Sequence, residues 1–159
     1  MKKKKTWREK LEEEKGFPRV STVEGKMVGR WGTRAGDTFV IPSPLEVDGL
    51  MRRVRKGRLT TIDRMREALA KRHGATIACP ITTGIFAWIA AHAAEEGLVA
   101  GKKVVTPYWR TLKRGGELNA KYPGGVEVLA KRLQGEGHRV VRRGKRWFVA
   151  DFEERLARL

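Results

Sequence analysis

Apolar positions fall into helical spacing from Ser43 onward and lose that order ahead of it. Ser43 followed by Pro44 predicts a helix start, a capping hydroxyl and then a residue whose missing N–H costs nothing at the first position. Val47, Leu50, Met51 and Val54 continue the apolar stripe, Arg52, Arg53, Arg55 and Lys56 lie largely off it, and Gly57 is the stop. Thr60-Thr61 opens a second helix with Ile62, Met65 and Leu69 on its apolar face, ending at Gly74. After a loop over residues 75–81, Thr82-Thr83 is expected to cap a third helix running to about Glu96. Its bulk comes from Ile85, Phe86, Trp88 and Ile89, and its thin walls from Ala87, Ala90, Ala91, Ala93 and Ala94. Val104 to Leu112 reads as a strand, Lys113 to Gly116 as a turn, and Pro123-Gly124-Gly125 introduces a fourth helix with Val126, Leu129 and Leu133 inward. Val140-Val141 and Trp147-Phe148-Val149 flank the basic tip Arg142 to Arg146 as a β-hairpin, and a short helix from Asp151 closes the pattern.

Upstream the signal thins. Lys2 to Lys5 reads as a solvated basic arm leading into a short charged helix over Trp7 to Lys15, where Trp7 and Leu11 are spaced to dock. Gly16 to Ile41 is rich in glycine, proline and single charges, with one short strand at Thr38 to Ile41. Two helices joined by a short turn, the second rich in alanine, resemble a helix-turn-helix pair, and a basic-tipped hairpin after them suits a wing. The expected architecture is α+β and mainly helical, a winged helix-turn-helix domain with a basic N-terminal arm and a C-terminal β-hairpin. Residues 1–41 form the arm and irregular segment, and residues 42–159 the winged-helix domain with hairpin and short helix.

Charge changes the picture most. The 159 residues carry 35 Lys and Arg against 18 Asp and Glu, a formal net charge of +17. Self-repulsion of that size disfavours the compact state, so a polyanionic partner is implied. Hydrophobic content of 40% is that of a folded domain rather than a basic disordered tail. Cys79 is the single cysteine, which excludes an intrachain disulfide and a cysteine-rich metal site. His73, His92 and His138 have no metal-ligand spacing, and no cofactor is implied. The basic start is followed by no apolar stretch of signal-peptide type. The run Ile85 to Ala94 is too short to cross a bilayer, so no membrane partner is expected. The reading is a reduced, cytoplasmic, nucleoid-associated monomer.

Three basic clusters, Arg52 to Arg58, Arg110 to Arg114 and Arg142 to Arg146, flank the helix pair where phosphate contacts belong in a winged helix. Candidate contacts are Arg52, Arg53, Arg55, Lys56, Arg58, Arg110, Lys113 and Arg114, with Thr60, Thr61, Thr82 and Thr83 at helix starts, and Gly84 and Ala87 on the third helix. That helix carries almost no positive charge, which argues against base readout in the major groove. Its alanine wall suits either close approach to a narrow groove or tight packing in a core.

Lys56-Gly57-Arg58-Leu59-Thr60-Thr61 with its helix, Pro107-Tyr108-Trp109-Arg110, and Glu136-Gly137-His138-Arg139-Val140 occur in that order. Together they resemble the DNA-binding, catalytic domain of alkylguanine-DNA alkyltransferases and the alkyltransferase-like proteins, over residues 42–141, about two thirds of the chain. The resemblance implies a winged helix whose second helix enters the minor groove of double-stranded DNA, and a pocket that receives an extruded guanine. In that family the acceptor is the cysteine of a Pro-Cys-His-Arg motif, activated through the histidine and a glutamate. Here Tyr108 stands at the cysteine and Trp109 at the histidine, while Arg110 and Glu136 are retained; Ile62 stands at a tyrosine that helps rotate the nucleotide and Gly84 at an intercalating arginine. A phenol with an ordinary pKa near 10 and no adjacent base is a poor alkyl acceptor. The implied pocket residues are therefore Ile62, Tyr108, Trp109, Arg110 and Glu136, with no catalytic residue.

A non-catalytic DNA binder follows, either holding duplex DNA or sensing alkylated or distorted DNA for repair proteins. Residual alkyl transfer through Cys79, another reaction in the same pocket, and RNA binding stay open as alternatives.

Overall fold

The computed structural model describes residues 3–13 and 15–159; the head of the basic arm and residue 14 of the charged segment lie outside the described residues. The fold is α+β, built of helices with small sheets. Helices are α1 (Trp7–Glu12), α2 (Pro44–Arg52), α3 (Ile62–His73), α4 (Pro80–Val99) and α5 (Gly125–Gly135). Strands are β1 (Arg19–Thr22), β2 (Thr38–Ile41), β3 (Thr60–Thr61), β4 (Ile77–Ala78), β5 (Thr111–Leu112), β6 (Val140–Arg143) and β7 (Arg146–Val149). β2 pairs antiparallel with β1 and parallel with β4, β3 runs parallel to β5, and β6–β7 is the hairpin expected from the sequence.

α4 is the axis of the molecule. Its buried face is Thr83, Ala87, Ala90, Ala91, Ala93 and Ala94, and these short side chains let α1, α2 and α3 approach it closely. The alanine wall therefore belongs to the core, which it shares with Val47, Leu50 and Met51 of α2, Met65 and Leu69 of α3, and Leu129 and Leu133 of α5.

Local chemistry sets the helix ends. Ser43 and Glu46 form a reciprocal capping box at α2, and Thr61 caps α3, which ends on left-handed Gly74 as expected. α4 begins earlier than its threonine pair suggests. Pro80 takes the first position, where its fixed φ is already helical, and Cys79 is the cap residue without a side-chain bond. Thr83 is consequently inside the helix, its hydroxyl donating to the Cys79 carbonyl at 2.7 Å.

The segment ahead of Ser43 is tied down from Trp7 onward. The Glu96 carboxylate of α4 accepts the backbone N–H groups of Trp7 and Arg8 at 3.0 and 3.2 Å, and the Trp7 ring stacks on His92 and meets Trp88 edge-on. Leu11 is fully buried beneath. The expected strand over 104–112 shrinks to β5, because Pro107 has no N–H to pair and Tyr108–Arg110 is a 3-10 turn. No helix among the described residues is long and apolar enough to cross a membrane.

Candidate nucleic-acid interface

α2 and α4 lie side by side in the same direction. Pro44 at the start of α2 shares a cleft with Phe86 and Ile89, whereas Asp48 and Arg52 share one with Ala93, Ala94, Gly97 and Ala100. Arg52, which ends α2 and opens the basic run, therefore sits beside the C-terminal half of α4. The outward face of α4 lies in its other half, where Ile81 and Ile85 are 53% and 46% exposed. With Gly84, Trp88, His92 and the Asn119–Lys121 loop they line an open cleft of about 680 Å³, fixed at one side by the Trp88 indole N–H donating to the Lys121 carbonyl at 3.2 Å.

The sequence candidates separate into three groups. Thr60, Thr61, Thr83 and Ala87 are buried, so their side chains pack inside rather than meet a partner. Thr82 is half-buried with its hydroxyl unpartnered. Other cations are engaged by carboxylates. Arg52 bonds Asp48 at 2.8 Å, which relieves a buried carboxylate that also accepts the Thr106 hydroxyl at 2.6 Å. Arg114 bonds Asp63 at 2.8 Å while its side chain stays 82% exposed, and Lys113 lies 3.7 Å from Glu117. Arg53, Arg55, Lys56 and Arg58 are exposed, and among the described residues no carboxylate lies within 4.0 Å of them. The same holds for Arg142, Arg143 and Lys145 of the hairpin, where Arg142 and Arg143 lie over the Trp147 and Phe148 rings.

The five residues expected to line a pocket do not frame an open one. Tyr108 is fully buried, its ring edge-on to Trp109 and Tyr122, and its hydroxyl donates to Glu95 at 3.3 Å. Burial pushes that phenol up to about 12. Ile62 is half-buried against the core, and Arg132 covers the Trp109 ring at 4.5 Å. Arg110 was expected on phosphate as well; instead Glu136 holds it in a two-point ion pair at 2.9 and 2.6 Å, and its third nitrogen donates to the Val54 carbonyl at 2.8 Å. Burial alone would raise the Glu136 carboxyl, but the bonds from Arg110 outweigh it and hold it low. Cys79 is a buried thiol at the start of α4, and among the described residues no group of three or more His, Cys, Asp and Glu side chains could hold a metal ion.

Burial depresses His138 and His92 below the ordinary imidazole value. A depressed histidine contributes stability that is complete above the unfolded value near 6.5 and is lost as pH falls through the folded one. Asp63 and Glu117, lowered by the bonds from Arg114 and Arg146, and Glu136 lose theirs further down, below the ordinary carboxylate range. The melting temperature is thus expected to fall in two steps between pH 8 and 3. His138→Leu should flatten the upper step, and an unchanged upper step would remove His138 from this account.

The sequence matches no protein-family model and no curated protein. Two solved structures share the fold. S. pombe Atl1 in complex with damaged DNA containing O6-carboxymethylguanine aligns with a TM-score of 0.51 and 14% identity, over 73% of this chain and 94% of that one. S. pombe ATL in complex with DNA aligns at 0.52 and 14% with the same coverage. This likeness establishes the fold, α+β with a central helix and small sheets.

Proposed function

We propose that this chain is a non-catalytic double-stranded DNA-binding protein of the alkyltransferase-like kind, using a winged helix-turn-helix made of α3, α4 and the β6–β7 hairpin. The observation that carries the reading is a fold shared with two structures solved on DNA, in a chain of net charge +17. The outer edge of α4 at Ile81, Gly84 and Ile85 approaches a groove. Lys113 and Arg114 on the neighbouring turn, and Arg142, Arg143 and Lys145 at the hairpin tip, take phosphates. Arg114 reaches a phosphate by leaving Asp63, a small sacrifice for so exposed a pair. Tyr108, which the resemblance puts at the acceptor position, is a buried phenol bonded to Glu95 whose pKa burial pushes up to about 12, so it is a poor nucleophile and no alkyl group is transferred. The protein acts as a nucleoid-associated monomer.

A second reading, sensing of alkylated or distorted DNA on behalf of repair proteins, rests on the open cleft beside Ile85 and Trp88, whose volume accommodates an extruded base. The test for both is binding to a fluorescent duplex with and without one alkylated guanine, over a salt series. Neutralising six to ten phosphates should lower affinity by about 10³ to 10⁵ between 50 and 200 mM salt. Tighter binding to the lesion by about tenfold or more, roughly 1.4 kcal/mol, supports the sensor; equal binding with a steep slope supports a general DNA holder. A flat salt response would sink the DNA reading. Mass spectrometry of the incubated protein should find no added alkyl mass.

A further inference from the structure

The cations at the end of α2 line a cleft that includes neither Lys113 nor Arg114, nor any residue of α4. Arg52, Arg53, Arg55 and Arg58 line an open cleft of about 750 Å³, and its far wall is the C-terminal segment, which adds Arg158 over a floor of Leu156 and Ala157. Two backbone bonds stitch that wall in place. The Leu59 N–H donates to the Arg155 carbonyl at 2.9 Å and the Ala157 N–H to the Leu59 carbonyl at 2.8 Å, a parallel bridge between Leu59 and Leu156. The fold thus draws a fifth arginine from the distant end of the sequence into a cleft that already holds four. Only Arg52 among the five is paired with a carboxylate among the described residues.

The negative end of the α2 dipole accounts for arginines at positions 52 and 53, within its last turn, but not for Arg55, Arg58 and Arg158 beyond it. Four guanidinium groups with no carboxylate partner among the described residues, beside a fifth shared with Asp48, ask for an anion with several charged oxygens, and guanidinium forks match phosphate oxygens two at a time. The cleft is open, and its five arginines offer more forks than one phosphate can engage. Its one residue of α2, Arg52, also borders Ala93, Ala94, Gly97 and Ala100 in the C-terminal half of α4, while Ile81 and Ile85 lie in the other half. At about 1.5 Å per residue, Ala93 lies about 12 Å further along the α4 axis than Ile85, so the two regions are offset along the helix.

We infer that the cleft formed by Arg52, Arg53, Arg55, Arg58 and Arg158 is a second phosphate site that takes the backbone of a further nucleic-acid segment, so that one protein holds two. The inference rests on the DNA-binding reading above and extends it from one docking surface to two.

The test is the number of short duplexes carried by one protein molecule, measured by sedimentation at low salt with duplex in excess, on the whole chain. The native sequence should carry two. Arg55→Gln/Arg58→Gln/Arg158→Gln, all exposed changes checked for unaltered circular dichroism, should carry one, with the second step weakened by about tenfold or more and its salt slope reduced by about 0.9 per arginine removed. Lys113→Gln/Arg114→Gln should weaken the first step instead. If the native protein never carries more than one duplex, or the triple variant still carries two, the second site is wrong. A triple variant that weakens the first step as much as Lys113→Gln/Arg114→Gln would make the cleft a flank of a single interface, also overturning it. If no duplex binds at all, the DNA reading itself fails. Titration with inorganic phosphate, followed by the arginine Nε–H resonances, separates the remaining source of the same chemistry: saturation by phosphate without capture of a second duplex would assign the cleft to a free anion and overturn the nucleic-acid assignment.

Discussion

Tyr108→Ala should destabilise the protein by about 3–5 kcal/mol, the range for removing a large buried ring. The ring is wholly buried between Trp109 and Tyr122, so truncation leaves a cavity whose walls are themselves large and cannot close over it. Tyr108→Phe should lose only the hydroxyl bond to Glu95, about 1 kcal/mol, because half-exposed Glu95 turns to water instead. Against a usual total of 5–15 kcal/mol, the alanine variant sits near the edge of folding at room temperature. Urea unfolding of both variants measures the contrast. A loss below about 1 kcal/mol for Tyr108→Ala would mean the ring is not a core element. The place of the acceptor thiol would then be accessible to a base, and the sensor reading would regain the pocket that the sequence resemblance implies.

The same residue shows why the sequence told half the story. Helices α2, α3 and α5 and the hairpin are legible because each carries its own punctuation: Ser43-Pro44 with Glu46, Thr61 with Gly74, Gly124-Gly125 at the start of α5, and Arg-Gly-Lys between two apolar runs. What could not be read depends on partners remote in sequence. β4 is two residues long and exists because β2 offers an edge, with the Cys79 N–H donating to the Val40 carbonyl at 2.9 Å. Val104 has the side chain of a strand residue yet is 89% exposed, because no neighbouring strand reaches it. Thr82-Thr83 looks like a cap to a local rule, but Pro80 competes for the start and wins.

For the candidate interface, the basic clusters were legible as composition but not as geometry. Which arginines are free depends on where the few carboxylates lie. Asp48, four residues ahead of Arg52, is a local signal of that pairing, since the spacing puts both on one helix face. The resemblance implies Glu136 as a pocket residue, and its engagement of Arg110 across the fold has no counterpart in local spacing. Arg158 stands apart from the three basic clusters of the sequence for the same reason: the bridge between Leu59 and Leu156 brings it to the end of α2.

Arg110 is where these threads can be pulled apart. Its guanidinium is shared by Glu136 beyond the end of α5 and by the Val54 carbonyl just past α2, so it clamps three segments that otherwise meet only through the core. Both side chains of the pair are nearly out of water, at 13% and 10% exposure. Removing one partner strands the other, so Glu136→Ala should cost about 3 kcal/mol by urea unfolding at neutral pH, and Arg110→Met a similar amount. Arg110→Met/Glu136→Leu should cost clearly less than the sum, because neither charge is then left unpaired; a coupling of about 1–3 kcal/mol is expected. Acid should imitate Glu136→Ala, since the low carboxyl gives up its stabilisation only as pH falls through its depressed value. If the costs simply add, the ion pair is incidental and Arg110 is available for a phosphate. Duplex affinity of Arg110→Met, measured where the variant is fully folded, then decides its place. A change of less than about twofold keeps it in the scaffold, and a loss of tenfold returns it to the DNA surface that its sequence neighbourhood suggested.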